Sequence, residues 1–106
     1  MWDLTGHFDL MKQNFPDPSI LGNFVDNHDN PRLLHDEGNI HYYKNALLFV
    51  LAMEGIPIIY YGTEQKYGGG GGPGDAFCRE PLWTNMDSKN DMYGFLKTVN
   101  TARKNN

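Results

Sequence analysis

A dense set of ionisable and polar side chains follows a short apolar segment near residue 26. Residues 20–25 have the sequence ILGNFV and residues 26–32 have the sequence DNHDNPR. Carboxylates beside a histidine supply groups for acid–base chemistry, hydroxyl binding or metal ligation. In parallel α/β barrels such groups lie at the C-terminal ends of the strands. A simple polar turn has the same composition, because Asn, Asp and Pro all favour turns, so the segment alone leaves both interpretations open.

The composition of the chain excludes several classes of function. The 106 residues are 40% apolar and 13% aromatic, enough for a hydrophobic core, and the net charge is -4. That charge favours neither nucleic acid nor an anionic membrane as a partner, since both require a clustered basic face. The longest apolar run, residues 46–53, is far shorter than the ~20 residues that span a bilayer. The first residues also lack the basic and apolar regions of a signal peptide.

The hydrophobic pattern predicts an alternation of helices and strands. Helical spacing of apolar residues predicts three helices, over about residues 4–15, over 39–53 and from Ser88 onward. Continuous apolar runs predict two strands of a buried parallel sheet, Ile20–Val25 and Ile56–Tyr61. The glycine-rich residues 62–85 predict a long loop, and loops of this length in compact domains are usually functional or disordered.

Local signals refine these elements. Gly55 is expected to end the second helix in a left-handed conformation, and Ser88 with Asp91 resembles a weak capping box. The buried side of the second helix is predicted to consist of Ile40, Tyr43, Leu47, Val50 and Leu51. Two parallel strands leave unpaired apolar edges, and a complete barrel takes about 250 residues. We therefore expect residues 1–106 to be part of a larger domain rather than a complete one.

Two segments in this order resemble a known family. Residues 24–32, FVDNHDNPR, closely resemble the fourth conserved region of the α-amylase family, glycoside hydrolase family thirteen. Residues 55–65, GIPIIYYGTEQ, are similar to the eighth barrel strand of that family and the loop after it. Arg79, Glu80 and Trp83 resemble the loop that closes over the cleft in fungal-type members. The resemblance implies a fragment of a (β/α)8 TIM barrel, with a preceding helix and the seventh and eighth strand–helix units.

The resemblance also implies roles for individual residues. Asp29 corresponds to the carboxylate that stabilises the distorted, positively charged sugar ring, and His28 would bind hydroxyl groups of the same sugar. Asp75 and Arg79 keep the four-residue spacing of the family's outer substrate contacts, although the glycine run before them looks longer than usual. The alternatives are a turn or helix-cap carboxylate for Asp29, a buried structural histidine for His28, and solvated loop charges for the other pair.

Three further residues have two interpretations each. Arg32 either orients Asp29 through a charge-assisted hydrogen bond or supports the loop, and we favour the second. Trp83 either stacks on a sugar or anchors the loop as a buried side chain. Cys78 is the single cysteine and is interpreted as a loop residue rather than a catalytic nucleophile, since no histidine lies close by in sequence to activate it.

Metal and dinucleotide sites are not predicted. The histidines and acids at 28, 29, 35, 36 and 41 lack a recognised metal-binding spacing. Gly69, Gly71 and Gly74 match G-x-G-x-x-G only through composition, well past the end of a strand. The resemblance implies calcium for the full-length protein, bound mostly by an earlier part of the barrel, and no cofactor within these residues.

The predicted function is that of a fragment of a retaining, endo-acting α-amylase that hydrolyses α-1,4-glucosidic bonds of starch or glycogen. The family's nucleophile and acid/base lie upstream, and their motifs are absent from these residues, so the fragment itself is expected to be inactive. One alternative is a stand-alone product that binds glucan or a partner protein without catalysis. Another is a relative such as an α-glucosidase. The resemblance further implies a secreted, monomeric full-length protein whose partner is an α-glucan.

Overall fold

The computed structural model describes residues 4–70, 75–84 and 86–105. Four α-helices and two short strands lie along these ranges: α1 (Leu4–Asn14), β1 (Gly22–Asn23), α2 (Leu33–Glu37), α3 (Ile40–Ala52), β2 (Ile56–Pro57) and α4 (Asp91–Asn105). Short 3-10 helices occur at Pro18–Ile20, Thr63–Gln65, Asp75–Cys78 and Leu82–Thr84. The order of elements is the predicted one, with the short helix α2 in addition.

The two strands pair in parallel, as expected for part of an α/β barrel. The register joins Gly22 with Ile56 and Asn23 with Pro57. The N–H of Ile58 donates to the carbonyl of Asn23 at 2.8 Å. Regular pairing covers two residues of each strand, less than predicted. Each strand has one partner strand within the described residues, whereas a strand of a closed barrel is paired on both edges.

Gly55 connects α3 to β2 with a φ of 116°, in a region that favours glycine. The helix ends earlier, at Ala52, and its C-cap residue Met53 is extended. The prediction that Gly55 caps the helix is therefore wrong. A Cβ on Gly55 would lie 2.8 Å from the carbonyl oxygen of Leu21. Glycine is required here because the connection passes closely over β1, where the Asn23 side chain donates to the Glu54 carbonyl at 2.9 Å.

The hydrophobic core lies between α3 and α4. Its centre is formed by Tyr43, Leu47 and Met92, each at most 2% exposed. The partly buried side chains around them are Val25, Leu33, Leu34, Ile40, Ile59, Phe95 and Leu96. Tyr43, Leu47, Val50 and Leu51 are the buried residues of α3, which confirms most of its predicted inner face. Side chains three and four positions apart share a face of the helix, so one face of α3 supplies much of this core.

The start of α4 differs from the prediction. The helix begins at Asp91 rather than at Ser88. The Asn90 side chain accepts a hydrogen bond from the N–H of Met92 at 3.0 Å, which is the bond that an N-cap residue makes. The predicted capping box of Ser88 and Asp91 is therefore wrong.

Charged side chains attach both ends of α4 to the rest of the protein. At the start, the Asp91 carboxylate is 2.5 Å from Lys66 Nζ and 3.0 Å from Lys44 Nζ. Hydrogen bonds from Lys66 and Lys44 lower the pKa of Asp91 to about 2. At the other end, the Arg103 guanidinium donates to the carbonyls of Leu51, Met53 and Gly55 at 2.6, 3.2 and 2.8 Å. These last bonds satisfy carbonyls at and beyond the end of α3 that have no partner within the helix.

Apolar side chains in and directly after the strands remain accessible. Phe24, Ile56 and Ile58 are each about half exposed, whereas the sheet of an α/β barrel is covered on both faces. This surface agrees with the expectation that residues 1–106 are part of a larger domain, which stays a prediction. Across the ranges that the structure describes, no helix combines the length and the apolar character required to cross a membrane.

Candidate active site

Asn27 folds the polar segment after β1 into a tight turn. Its side-chain oxygen accepts hydrogen bonds from the N–H groups of Asp29 at 2.8 Å and Asn30 at 3.0 Å. Bonds of this kind are the physical reason that Asn favours turns. The turn leaves the side chains of His28 and Asp29 64% and 63% exposed. Within the described residues, His28 is therefore not the buried structural histidine of the alternative interpretation.

Asp26 anchors the base of this turn. It is 6% exposed, and its Oδ1 accepts a hydrogen bond from the N–H of Leu33 at 2.9 Å, at the start of α2. The Tyr43 hydroxyl donates a short hydrogen bond to Oδ2 and lies 3.2 Å from Thr63 Oγ1. Burial, followed by the bond to Asp26, raises the pKa of Tyr43, so its hydroxyl stays a donor. Asp26 was assigned no role from the sequence. Its position directly after the apolar run was the signal that could have indicated a role for it.

Three of the four predicted site residues lie together. His28 Nε2 is 3.3 Å and Arg79 Nη2 is 3.5 Å from the same oxygen, Asp29 Oδ1. Arg79 Nε also donates to the backbone carbonyl of His28 at 3.0 Å. Among the described residues, the ion pairs of Asp29 involve Oδ1 and not Oδ2. An exposed carboxylate flanked by a guanidinium and an imidazole is suited to bind hydroxyl groups and to stabilise nearby positive charge.

Cys78 joins the same contact as a structural residue. It is buried, and its Sγ donates to the His28 carbonyl at 3.1 Å. That carbonyl therefore accepts bonds from two residues of the loop after β2, Cys78 and Arg79. The position of Cys78 agrees with its interpretation as a loop residue.

The fourth predicted residue, Asp75, begins the 3-10 helix Asp75–Cys78. Its side chain lies outside the described part of the structure, so its contact with substrate stays a prediction. Residues 71–74, which include two glycines of the rejected G-x-G-x-x-G pattern, are also outside the described residues. The loop does agree with the prediction in its described parts, which contain 3-10 helices but neither a strand nor an α-helix.

Arg32 supports the loop and makes no described contact with Asp29. Its side chain is fully buried. Nε donates to Glu80 Oε2 at 3.2 Å and Nη2 donates to the Cys78 carbonyl at 3.1 Å. The guanidinium carbon also lies 4.6 Å from the centre of the Tyr60 ring, a cation–π distance. The geometry therefore favours the supporting role, and it identifies Glu80, to which the sequence analysis assigned no separate role.

Trp83 does not anchor the loop. Its side chain is 80% exposed, so the interpretation as a buried anchor is wrong. Tyr67 takes that position: it is 7% exposed, and its hydroxyl lies 3.1 and 3.2 Å from the carbonyls of Pro81 and Leu82. The sequence contains no local signal for this role, because Tyr67 lies in a glycine-rich segment without hydrophobic periodicity.

A metal centre is not assembled in the described residues. Within residues 4–70, 75–84 and 86–105, no three His, Cys, Asp or Glu side chains are placed to bind a metal ion. His35 lies 3.2 Å from the carbonyl of Gly68 instead. The calcium implied for the full-length protein stays a prediction.

Known proteins are similar to this chain over most of its length. The family model described as the alpha-amylase catalytic domain matches residues 1–105. Alpha-amylase 2 of Schwanniomyces occidentalis is 38% identical over 102 residues, which cover 95% of this chain and 20% of that protein. The solved alpha-amylase of Malbranchea cinnamomea aligns with a TM-score of 0.89 and 34% identity, over 98% of this chain and 22% of that one. The alpha-amylase of Geobacillus thermoleovorans, complexed with acarbose, aligns with a TM-score of 0.79 and 32% identity, over 97% and 23%.

The chain thus spans about a fifth of the length of these relatives. Its parallel strand pair and flanking helices have the fold of a corresponding part of an α-amylase TIM barrel. Because the family model covers nearly every residue, the chain belongs to the α-amylase family and forms part of its catalytic domain.

Proposed function

We propose that these residues form one wall of the active site of a retaining, endo-acting α-amylase that cleaves α-1,4-glucosidic bonds of starch or glycogen. The observation that carries the proposal is the exposed cluster of His28, Asp29 and Arg79. Retaining glycosidases need a nucleophilic carboxylate and an acid/base carboxyl. In this proposal both come from other barrel strands of the whole protein, by which we mean the product of the complete coding sequence.

Asp29 is proposed to stabilise the transition state. Glycoside hydrolysis passes through an oxocarbenium-like state, so positive charge develops on the sugar ring. A fixed carboxylate beside that ring stabilises the charge most strongly where surrounding protein excludes water. Asp29 has one oxygen, Oδ1, engaged by Arg79 and His28, and Oδ2 takes no part in these ion pairs. His28 is proposed to bind hydroxyl groups of the same sugar.

Arg79 and Asp75 are proposed to bind sugars further along the glucan. The Arg79 side chain is 43% exposed, so a chain lying along the turn can reach its guanidinium. Asp75 begins the 3-10 helix that leads to Arg79. A structurally similar alpha-amylase has been solved complexed with acarbose, which supports a glucan-like ligand for this fold. Secretion, calcium binding and a monomeric state are proposed for the whole protein from its family alone.

Expression of the whole protein tests the proposal directly. We expect hydrolysis of starch with internal cleavage, visible as a rapid fall in viscosity, and loss of most activity in Asp29→Asn. The matched control is Asp36→Asn, because Asp36 is an exposed carboxylate on α2. A preference for maltose over starch would overturn the endo-acting assignment, and unchanged starch hydrolysis in Asp29→Asn would overturn the site.

A segment exchange tests the same residues in a known scaffold. Residues 1–106 replace the matching segment of the Malbranchea cinnamomea enzyme, to which the structure aligns over 98% of its length. A folded hybrid that hydrolyses starch, and loses this activity in Asp29→Asn, supports the proposal. A hybrid with native circular dichroism but no hydrolysis contradicts it.

A further inference from the structure

We propose that Arg32, Gly69 and Glu80 form a loop clamp that holds Arg79 against Asp29. In this role Arg32 and Glu80 are positioning residues for binding of the outer part of a glucan chain, and neither touches the substrate. The inference rests on the proposed function and adds to it the residues that set the position of Arg79.

The clamp acts on both neighbours of Arg79. The buried guanidinium of Arg32 donates to the Cys78 carbonyl and to the Glu80 carboxylate, at 3.1 and 3.2 Å. These acceptors immediately precede and follow Arg79 in the chain. Because the guanidinium is planar and lies 4.6 Å from the centre of the Tyr60 ring, its donors point in fixed directions. Because the Cys78 carbonyl and the Glu80 side chain are both bonded to Arg32, the segment that carries the Arg79 side chain is held beside Asp29.

Gly69 closes the clamp from the other side. Its carbonyl accepts a hydrogen bond from the Arg32 N–H at 3.1 Å. A Cβ at this position would overlap the carbonyl oxygen of Phe77 and come within 2.6 Å of the Glu80 carboxyl carbon. The backbone of Gly69 therefore passes between Arg32 and the Arg79 segment without room for a methyl group. Gly68 is different, since a Cβ there would meet only Leu34, at 4.0 Å.

The energetics of Arg32 favour a positioning role over simple stabilisation. A buried ion pair loses much of its attraction to the cost of desolvation, and apolar residues of similar volume are often equally stabilising. Arg32 also has a buried Nη1 without a partner in the described residues, which adds a further cost. The buried Arg32 side chain is therefore better explained by the direction of its hydrogen bonds, which connect the loops after β1 and β2.

The test compares clamp variants of the whole protein on long and short substrates. Glu80→Gln removes the negative charge that pairs with Arg32. Gly69→Ala adds a methyl group for which the structure has no room. Gly68→Ala is the matched control, because a methyl group fits there. For maltoheptaose we expect each clamp variant to raise KM about tenfold, the effect of losing one charge-assisted contact, with kcat nearly unchanged. Arg79→Ala is expected to do the same, and its combination with Glu80→Gln to add nothing further. Because maltotriose covers fewer of the outer sugar positions, its KM is expected to rise less, and Gly68→Ala is expected to change the KM of neither substrate.

The possible outcomes separate the clamp from the function it serves. Clamp variants that leave KM unchanged while Arg79→Ala raises it overturn the clamp and leave the proposed function standing. An equal rise in KM on both substrates, or a fall in kcat without a change in KM, also overturns the clamp. Starch hydrolysis that survives both Asp29→Asn and Arg79→Ala overturns the proposed function itself. If Glu80→Gln and Gly69→Ala both unfold, Glu80→Asp, which keeps the charge but shortens the side chain, is judged by the same KM criterion.

Discussion

The two loops of the candidate site are held in different ways. The turn after β1 is held largely from within, since Asn27 binds residues two and three positions away and Asp26 binds Leu33 seven positions away. The part of the loop after β2 that carries Arg79 is held by residues 46 to 51 positions away, through Arg32 and the carbonyl of His28. The first loop therefore specifies much of its own shape, whereas the second depends on the first.

The two loops are therefore proposed to have different roles in catalysis and in substrate binding. The locally held turn presents Asp29 and His28, which are proposed to act on the sugar that reacts. The distantly held loop presents Arg79, which is proposed to act on sugars further away. Substitutions in the turn are thus expected to change catalysis or stability, and substitutions in the loop contacts are expected to change substrate binding.

The largest effect is expected from Asp29→Asn in the whole protein. Removing the charge that opposes the developing positive charge should lower kcat about 10²–10³-fold, the range for loss of one preorganised electrostatic contact. The free energy of unfolding should change by less than about 0.5 kcal/mol, as for an exposed substitution. Starch hydrolysis and thermal unfolding measure the two quantities. A large loss of stability would show that Asp29 supports the turn instead of the reaction.

Removal of the Asp26 carboxylate should mainly affect stability. Asp26→Ala leaves the Leu33 N–H without its acceptor and leaves the Tyr43 hydroxyl only its 3.2 Å contact with Thr63 Oγ1, in a buried site. We expect a loss of about 2–3 kcal/mol in the free energy of unfolding, the cost of stranded buried donors. Urea unfolding measures it, with Glu37→Ala as the control because Glu37 is exposed. Equal stability of the two variants would contradict the anchoring role.

Removal of the Asn27 side chain should have a smaller effect. Asn27→Ala deletes the acceptor of two backbone N–H groups at an exposed site, where water replaces part of each bond. The expected loss is about 1 kcal/mol. Asn30→Ala deletes only one side-chain bond, at 3.1 Å, and should cost less. If Asn30→Ala is the more destabilising variant, the turn is not organised by Asn27.

The smallest effect concerns the ion pairs of Asp91 with Lys44 and Lys66, the latter in the loop after β2. The pKa of Asp91 lies near 2, below its ordinary value of 3.8. Its contribution to stability is therefore fully present above about pH 4 and is lost as the pH falls towards 2. The stability difference between the parent and Asp91→Asn should shrink over this interval and in high salt, because the site is exposed.

Thermal unfolding between pH 2 and 5 measures this difference, with the exposed Asp9→Asn as control. A difference that stays constant with pH would contradict the ion-pair assignment.

Local patterns account for what was predictable from the sequence. The inner face of α3 follows from apolar residues three and four positions apart, and the turn at Asn27 follows from the residues that favour turns. The five-residue helix α2 was missed because it is too short for periodicity. Gly38, which ends this helix with a φ of 61°, was the residue in the sequence that could have indicated it. The start of α4 was misplaced because Ser88 and Asn90 are both good N-cap residues.

Contacts between distant residues were not predictable from local patterns. Arg32 has acidic residues three and four positions away, Asp29 and Asp36, so nothing nearby indicates that its partner is Glu80. The role of Gly69 was hidden for a related reason: in a run of glycines, composition does not show which one lacks room for a side chain. Family resemblance predicted roles for Asp29, His28 and Arg79, while the structure was required to find what holds them.

The separation of 48 positions between Arg32 and Glu80 also bears on the order of folding. Closing a long stretch of chain costs entropy that grows with its length, and contacts distant in sequence tend to form slowly. The turn at Asn27 needs only its immediate neighbours, so it can form while the rest of the chain is still open. Arg32 meets Glu80 only after α3 and β2 have brought the second loop into place. The carboxylate of Asp29 is therefore expected to be in position early in folding, and its guanidinium neighbour to arrive last.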